Sequence, residues 1–261
     1  QGGNSNTALS QGGAASSRFG FRGEEDLGGG LKAFFNLEGA VEADTGESST
    51  SGLFHRASFV GLKNAVVSGQ AGRMNTLDYA KLAKYDVFGG NNFGGGVTYF
   101  ALSTGAANAF QADVRRNNTL QLDVTPMAGL VISAQHSFGE VAGANSNSTD
   151  SADGLGKALR ANSYAIDFNT GKLDLAAIFS KQNTTTGATQ YEQKAAYARY
   201  DFGVAKVVLG HLEHETPTLK RKGDYLGVSV PVGAKTTILA NVAKLDWNAT
   251  DKATGYGLGA Y

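Results

Sequence analysis

From Thr119 to Val124 the chain reads TLQLDV, with Leu120, Leu122 and Val124 interleaved with Thr119, Gln121 and Asp123. The same alternation recurs far along the chain. Leu130, Ile132 and Ala134 interleave with Val131, Ser133 and Gln135. Tyr164, Ile166 and Phe168 interleave with Ser163, Ala165 and Asp167. Ala196, Ala198, Tyr200 and Phe202 interleave with Ala195, Tyr197, Arg199 and Asp201, and Leu226, Val228 and Val230 with Tyr225, Gly227 and Ser229. Successive side chains of a strand point to opposite faces, so each run is a strand with one apolar and one more polar face. Helical periodicity is nearly absent. An all-β chain follows, with about thirteen strands.

The connections alternate as well. Glu25–Gly30, Lys63–Ala65, Thr125–Gly129, Asn169–Gly171, Asp201–Gly203 and Pro231–Gly233 are short and carry the Gly, Asn, Asp and Pro of tight reversals. Ala43–Ser51, Gly139–Lys157, Asn183–Thr189, His214–Lys222 and Asp246–Ala253 read as longer polar loops. A meander built this way has its tight turns at one end and its loose loops at the other. One connection breaks the rule. After the strand ending near Arg73, none resumes clearly until Arg115, and a connection of that length in a compact domain is functional or disordered. Within it Leu77–Tyr85 suits a short helix and Val97–Leu102 is a possible extra strand.

The polar faces decide where such a sheet can live. They carry Arg18, Arg22, Lys32, Glu38, Arg56, Arg73, Gln121, Asp123, Gln135, Asp167, Asp174, Arg199 and Lys206. Burying these ions dry costs several kcal/mol each, so they face water. In a closed barrel of a dozen or more strands, water fills the inside and the apolar face meets lipid. Aromatics near the tight turns (Phe19 and Phe21, Phe34 and Phe35, Phe168, Tyr200 and Phe202) fit an interfacial girdle. Closure is required, because lipid cannot satisfy an open sheet edge. Phe19 and Phe21 then face the bilayer, and Arg18 and Arg22 line a wet pore.

Composition sets limits without deciding the matter. Lys+Arg and Asp+Glu are both 23, so no basic excess points to nucleic acid. There is no Cys, which excludes thiol chemistry and a disulfide scaffold. The mean hydropathy of −0.21 suggests a water-soluble protein, but membrane strands leave a weak hydropathy signal. His55, His136, His211 and His214 have no metal-binding spacing and read as loop or rim residues. Asp150 and Asp153 in Asn145–Gly154 lack the spacing of a calcium loop. No nucleophile elbow, paired-carboxylate site, P-loop or dinucleotide fingerprint is present, so neither a catalytic residue nor a cofactor is expected.

SSRFGFRGEEDLGGGLKAFFNLEG (Ser16–Gly39), LFHRASFVGLKN, GQAGRM and ARYDFGVAKVVLG together resemble the general porins of Gram-negative bacteria, in particular the β-proteobacterial type. The first stretch carries the S-R-x-G-x-R-G-x-E-D-L-G-G-G-L-K-A pattern of those porins, and the resemblance covers nearly the whole chain. It implies a sixteen-stranded, homotrimeric barrel in the outer membrane that passes ions and small hydrophilic solutes by passive diffusion. It also implies that the loop after Arg73, residues 74–114, folds inward as a constriction. The chain, 1–261, is then one barrel domain truncated at both ends, since neither the first strand nor the last strands of the family are supplied. Single-chain bacterial barrels have even strand numbers, which agrees with an internal fragment.

On this reading Arg18, Arg22, Lys32, Arg56, Arg73 and one of Arg115 or Arg116 form a basic row on the wall, with Glu38 among them. Asp78 and Asp86 on the inward loop oppose the row and set a transverse field. The basic row leans the channel towards a weak anion preference. An alternative is a soluble β-sandwich for carbohydrate binding or surface adhesion, whose polar strand faces would be outer surface. A barrel enzyme is a weaker alternative, since no nucleophile and base converge.

Overall fold

The computed structural model describes residues 16–42, 45–48, 52–90, 114–139, 160–183, 188–246 and 252–260. Within these, thirteen strands form one antiparallel sheet in strict chain order. They are β1 (Arg18–Gly28), β2 (Leu31–Ala40), β3 (Ala57–Lys63), β4 (Val67–Asn75), β5 (Arg115–Met127), β6 (Leu130–Ser137), β7 (Arg160–Asn169), β8 (Leu173–Asn183), β9 (Thr189–Asp201), β10 (Lys206–Thr216), β11 (Leu219–Pro231), β12 (Thr237–Asp246) and β13 (Lys252–Ala260). One helix, α1 (Leu77–Tyr85), follows β4, at the position the sequence suggests. No described helix is long and apolar enough to cross a membrane.

The register sorts the side chains into two faces. Leu122 pairs with Ala134, Ala134 with Tyr164 and Tyr164 with Phe179, an unbroken apolar row. Gln121 pairs with Gln135, Gln135 with Ser163 and Ser163 with Ser180, the polar row beside it. The apolar rows are bare: Phe21 is 60% exposed, Val60 63% and Leu258 81%. Exposed apolar area this continuous exceeds what a water-soluble monomer carries and belongs against lipid. The sheet curls around α1, which lies on the inner face of β7–β10 and shares an internal cavity with residues of β1–β5. A sandwich, with its charged rows outside, does not describe this arrangement.

Glycine chemistry closes the first hairpin. Gly28, Gly29 and Gly30 have φ of 86°, 63° and 80°, left-handed backbone that side-chain-bearing residues adopt at a cost.

Four expectations are corrected. His214–Lys222 is not a long loop. β10 and β11 pair from Lys206↔Ser229 to Thr216↔Leu219, leaving only Pro217 and Thr218 to turn, and LEHE and LKRK are cross-strand ion-pairing rows. His211 and His214 therefore sit on a strand and on opposite faces; His214 is buried beside Tyr191 and Gln193. Phe19 and Phe21 lie at the loop end of β1, both 6.4 Å from the Phe54 ring, rather than at its tight turn. Phe34 points inward, because its row partners are Glu24 and Gly61. The missing Gly61 side chain leaves room for the ring, and the Lys63 ammonium lies 5.3 Å above it. Val97–Leu102 and Asn145–Gly154 lie outside the described residues.

Candidate functional site

A nine-residue helix has little stability of its own in water. Local chemistry starts α1: the Thr76 hydroxyl accepts from the Tyr79 N–H at 3.2 Å, with Asp78 in the first turn and Lys84 in the last. Packing supplies the rest. Leu77, Leu82 and Tyr85 bury against Ala165, Ala176, Ile178, Ala195, Tyr197 and Val208 of β7–β10, and Tyr85 stacks on Tyr197 at 5.1 Å between centroids. The inner wall therefore offers the helix an apolar patch among its polar side chains.

The helix is also held by charge. Asp174, 3% exposed, accepts from the Tyr85 hydroxyl at 2.8 Å, from Lys84 Nζ at 3.0 Å and from Arg199 Nη2 at 2.5 Å. Asp167 on β7 takes Lys81 and, at 3.3 Å, Lys84. Burial, together with the hydrogen bond and the negative charge of Asp174, pushes the Tyr85 phenol up, so it stays a donor. Lys81 and Lys84 went unmarked in the sequence: their i, i+3 spacing on a helix was readable, but the aspartates they meet lie 83 to 90 residues away.

The two loop acids are placed differently from expectation. Asp78 is 3% exposed and accepts from Ser180 Oγ at 2.6 Å and Gln193 Nε2 at 3.0 Å. Asp86 accepts from Tyr225 Oη at 3.0 Å and from the N–H groups of Phe88 and Gly90 at 3.1 Å. Both carboxylates are turned into the wall behind the helix, and neither faces the arginines across the opening. Helix packing forces this, since Leu77, Leu82 and Tyr85 bury the same side. Burial pushes the Asp78 carboxyl up, against the opposing pull of Ser180 and Arg116. With its folded value above the ordinary one, protonation favours the seated helix: the contribution is full at low pH and lost as pH rises through the raised value. Asp78→Asn is therefore expected to keep or raise the thermal midpoint of the folded barrel at neutral pH. Asp78→Ala, which strands Ser180 and Gln193, costs about 1–3 kcal/mol. Thermal unfolding in detergent reads both; a loss in the Asn variant as large as in the Ala variant would refute the burial argument.

Across from the helix lies a cavity of about 790 Å³. Arg18, Arg56 and Arg115 line it from β1, the approach to β3 and β5, with Lys81 and Lys84 on the helix side. Its carboxylates are Glu38, Asp123 and Asp167, so cations outnumber acids five to three. Glu38 holds Arg56 at 2.7 Å and Arg18 at 3.8 Å. The Arg115 Nε is buried with no hydrogen-bond partner.

The remaining basic residues are dispersed. Arg22 lines a separate groove with Phe34, Asn36 and Gln70. Lys32 pairs with Glu24 at 2.7 Å near the tight turn, where Lys63 pairs with the same carboxylate. Arg73 shares a register pair with Ser58 on the outward row, and its guanidinium donates to the His55 carbonyl and, at 2.7 Å, to Asn117 Oδ1. Arg116 reaches Gln182 and, at 2.7 Å, Tyr191 Oη on β8 and β9. A bulge brings it inside: Asn118 takes φ 47°, and the register shifts so that Met74 opposes Arg116 while Gly72 opposes Thr119. Counting by twos from Thr119 places Arg115 inward and Arg116 outward, so parity alone misassigns Arg116.

Known proteins share this architecture. The sequence profile described as Gram-negative porin matches residues 1–261. Outer membrane porin protein 32 of Delftia acidovorans is 31% identical over 260 residues, covering 95% of this chain and 70% of that protein. An outer membrane porin protein of Bordetella pertussis is 28% identical over 231 residues, covering 84% of this chain and 57% of that protein. Among solved structures, the anion-selective porin from Comamonas acidovorans superposes with a TM-score of 0.77 at 28% identity, over 96% of this chain and 75% of that one. An apolar lipid-facing wall, an internal helix and a charged aqueous interior thus agree with the sequence match: the chain belongs to the Gram-negative porin family and is a β-barrel protein of the outer membrane.

Proposed function

We propose that the protein forms a water-filled channel through which ions and small hydrophilic solutes diffuse passively across the outer membrane, with a preference for anions and no catalytic step. One observation carries the reading: α1 narrows the interior to a cavity of about 790 Å³ whose lining has more cations than carboxylates. Charged walls at a constriction set which ion enters. The similar porin from Comamonas acidovorans is described as anion-selective, which supports the same sign. Homotrimer formation belongs to this reading. Its support is an outer depression where Gly23, Ala33, Gly69, Ala71 and Ala134 form a floor among larger apolar side chains such as Phe35, Leu62 and Leu122, a hollow that a second wall can fill.

The full-length protein in a planar bilayer is expected to give stepwise conductance, arriving in groups of three equal increments. Under a KCl gradient its reversal potential takes the sign of chloride preference. Correctly folded protein that leaves the bilayer silent refutes the channel, a potassium-selective potential refutes the anion preference, and isolated single steps refute the trimer.

A further inference from the structure

Past Tyr85 the chain does not turn directly into the lumen. Tyr225 Oη on β11 accepts from the Val87 N–H at 2.9 Å and donates to Asp86 at 3.0 Å, drawing the segment along the wall. Val87 and Phe88 then meet the inner face of β11–β13, and at both meeting points the wall residue is glycine. A Cβ on Gly227 would sit 2.7 Å from Val87 Cγ1 and from Tyr225 Oη, the hydroxyl that holds Val87. A Cβ on Gly259 would sit 2.9 Å from Phe88 Cε1. The register puts both glycines on inner rows, Gly227 opposite Asn241 and Gly259 opposite Leu239. Their φ values lie outside the left-handed region, so backbone conformation does not demand glycine there. Space for the two side chains does.

We infer that Gly227 and Gly259 are bore-setting residues: two hollows in the wall that receive Val87 and Phe88 and fix how far the end of α1 stands back from the arginine-bearing wall. The inference rests on the reading of the internal cavity as the solute path. Asp86 and Tyr225 tether the segment at one end and the Lys84–Asp174–Arg199 cluster at the other, and strands paired on both sides, such as β11, yield less than a loop. A methyl group in the Gly227 hollow therefore pushes Val87 inward by roughly 1 Å, the difference between 2.7 Å and an ordinary carbon contact. The segment, whose Gly89 lines the cavity, then stands closer to Arg18, Arg56 and Arg115 across it.

The test uses single-channel recording of the full-length protein, with the folded fraction confirmed beforehand. Gly227→Ala is expected to lower open-channel conductance by roughly a third and to lower the size limit for neutral polymers in the pore. Val87→Ala added to it removes the clash with Val87, though not the one with the Tyr225 ring, and restores part of both, a coupling that a general loss of barrel stability would not show. Val87→Phe enlarges the knob instead of filling the hollow, leaves the strand untouched and is expected to reproduce the loss. Wild-type conductance in both Gly227→Ala and Val87→Phe, or a loss that Val87→Ala does not relieve, overturns the assignment while leaving the channel reading intact. Absence of conductance in the wild type overturns the channel reading itself.

Discussion

Asp174→Ala is expected to destabilise the folded barrel by about 2–4 kcal/mol and to make its open channel noisy. The carboxylate is 3% exposed and meets three donors: Tyr85 Oη, Lys84 Nζ and Arg199 Nη2. Removing it strands two cations and a buried hydroxyl at once. Breaking a fully buried pair costs about 3–5 kcal/mol, but water reaches Lys84 and Arg199, which lowers the figure. Asp167 remains within 3.3 Å of Lys84 and recovers part of the loss. Asp174→Asn keeps the shape and one acceptor and is expected to fall between the two. The readouts are the thermal midpoint in detergent and the current variance of single open channels. A midpoint and a variance both equal to wild type would show that α1 is held by packing alone, through Leu77, Leu82 and Tyr85.

How much of this was legible in advance follows from range. Strand faces are local information: Leu120, Leu122 and Val124 announce their side within six residues, and the register bears them out. Tight turns and the Thr76-capped helix are local too. The clamp on α1 is not. Asp78 finds Ser180 and Gln193 at separations of 102 and 115 residues, and Asp86 finds Tyr225 at 139. In one dimension these acids look like solvated loop charges, and only the path of the helix along the wall buries them. Phe34 misled for a related reason. An aromatic in an apolar pair reads as outward, but the space left by Gly61 on the neighbouring strand admits the ring to the interior. Arg116 needed the bulge at Asn118, which the sequence marks only by an asparagine.

Replacing both Arg18 and Arg56 with Glu is expected to turn the proposed anion preference into a cation preference. The substitution changes a lining of five cations and three carboxylates into one of three and five. An ion about 10 Å from each group sets the magnitude. In water one charge at that distance is worth about 0.4 kcal/mol, so two full reversals shift the relative entry of chloride and potassium by about 1.7 kcal/mol for each ion. Salt at 0.1 M has a Debye length of about 10 Å and cuts this to about a third, leaving a change in permeability ratio of about eightfold. The shift therefore grows in dilute salt and fades near 1 M, a dependence that a purely steric change in the pore lacks. Arg56→Glu also sets a carboxylate against Glu38, now 2.7 Å from the guanidinium, so the pair Arg18→Gln and Arg56→Gln serves as control. It removes the two positive charges without adding repulsion and is expected to bring the reversal potential about halfway towards that of the Glu pair. If the Glu pair conducts with an unchanged reversal potential at 0.1 M salt, ions do not pass the arginine side of α1. The solute path must then be sought elsewhere in the barrel.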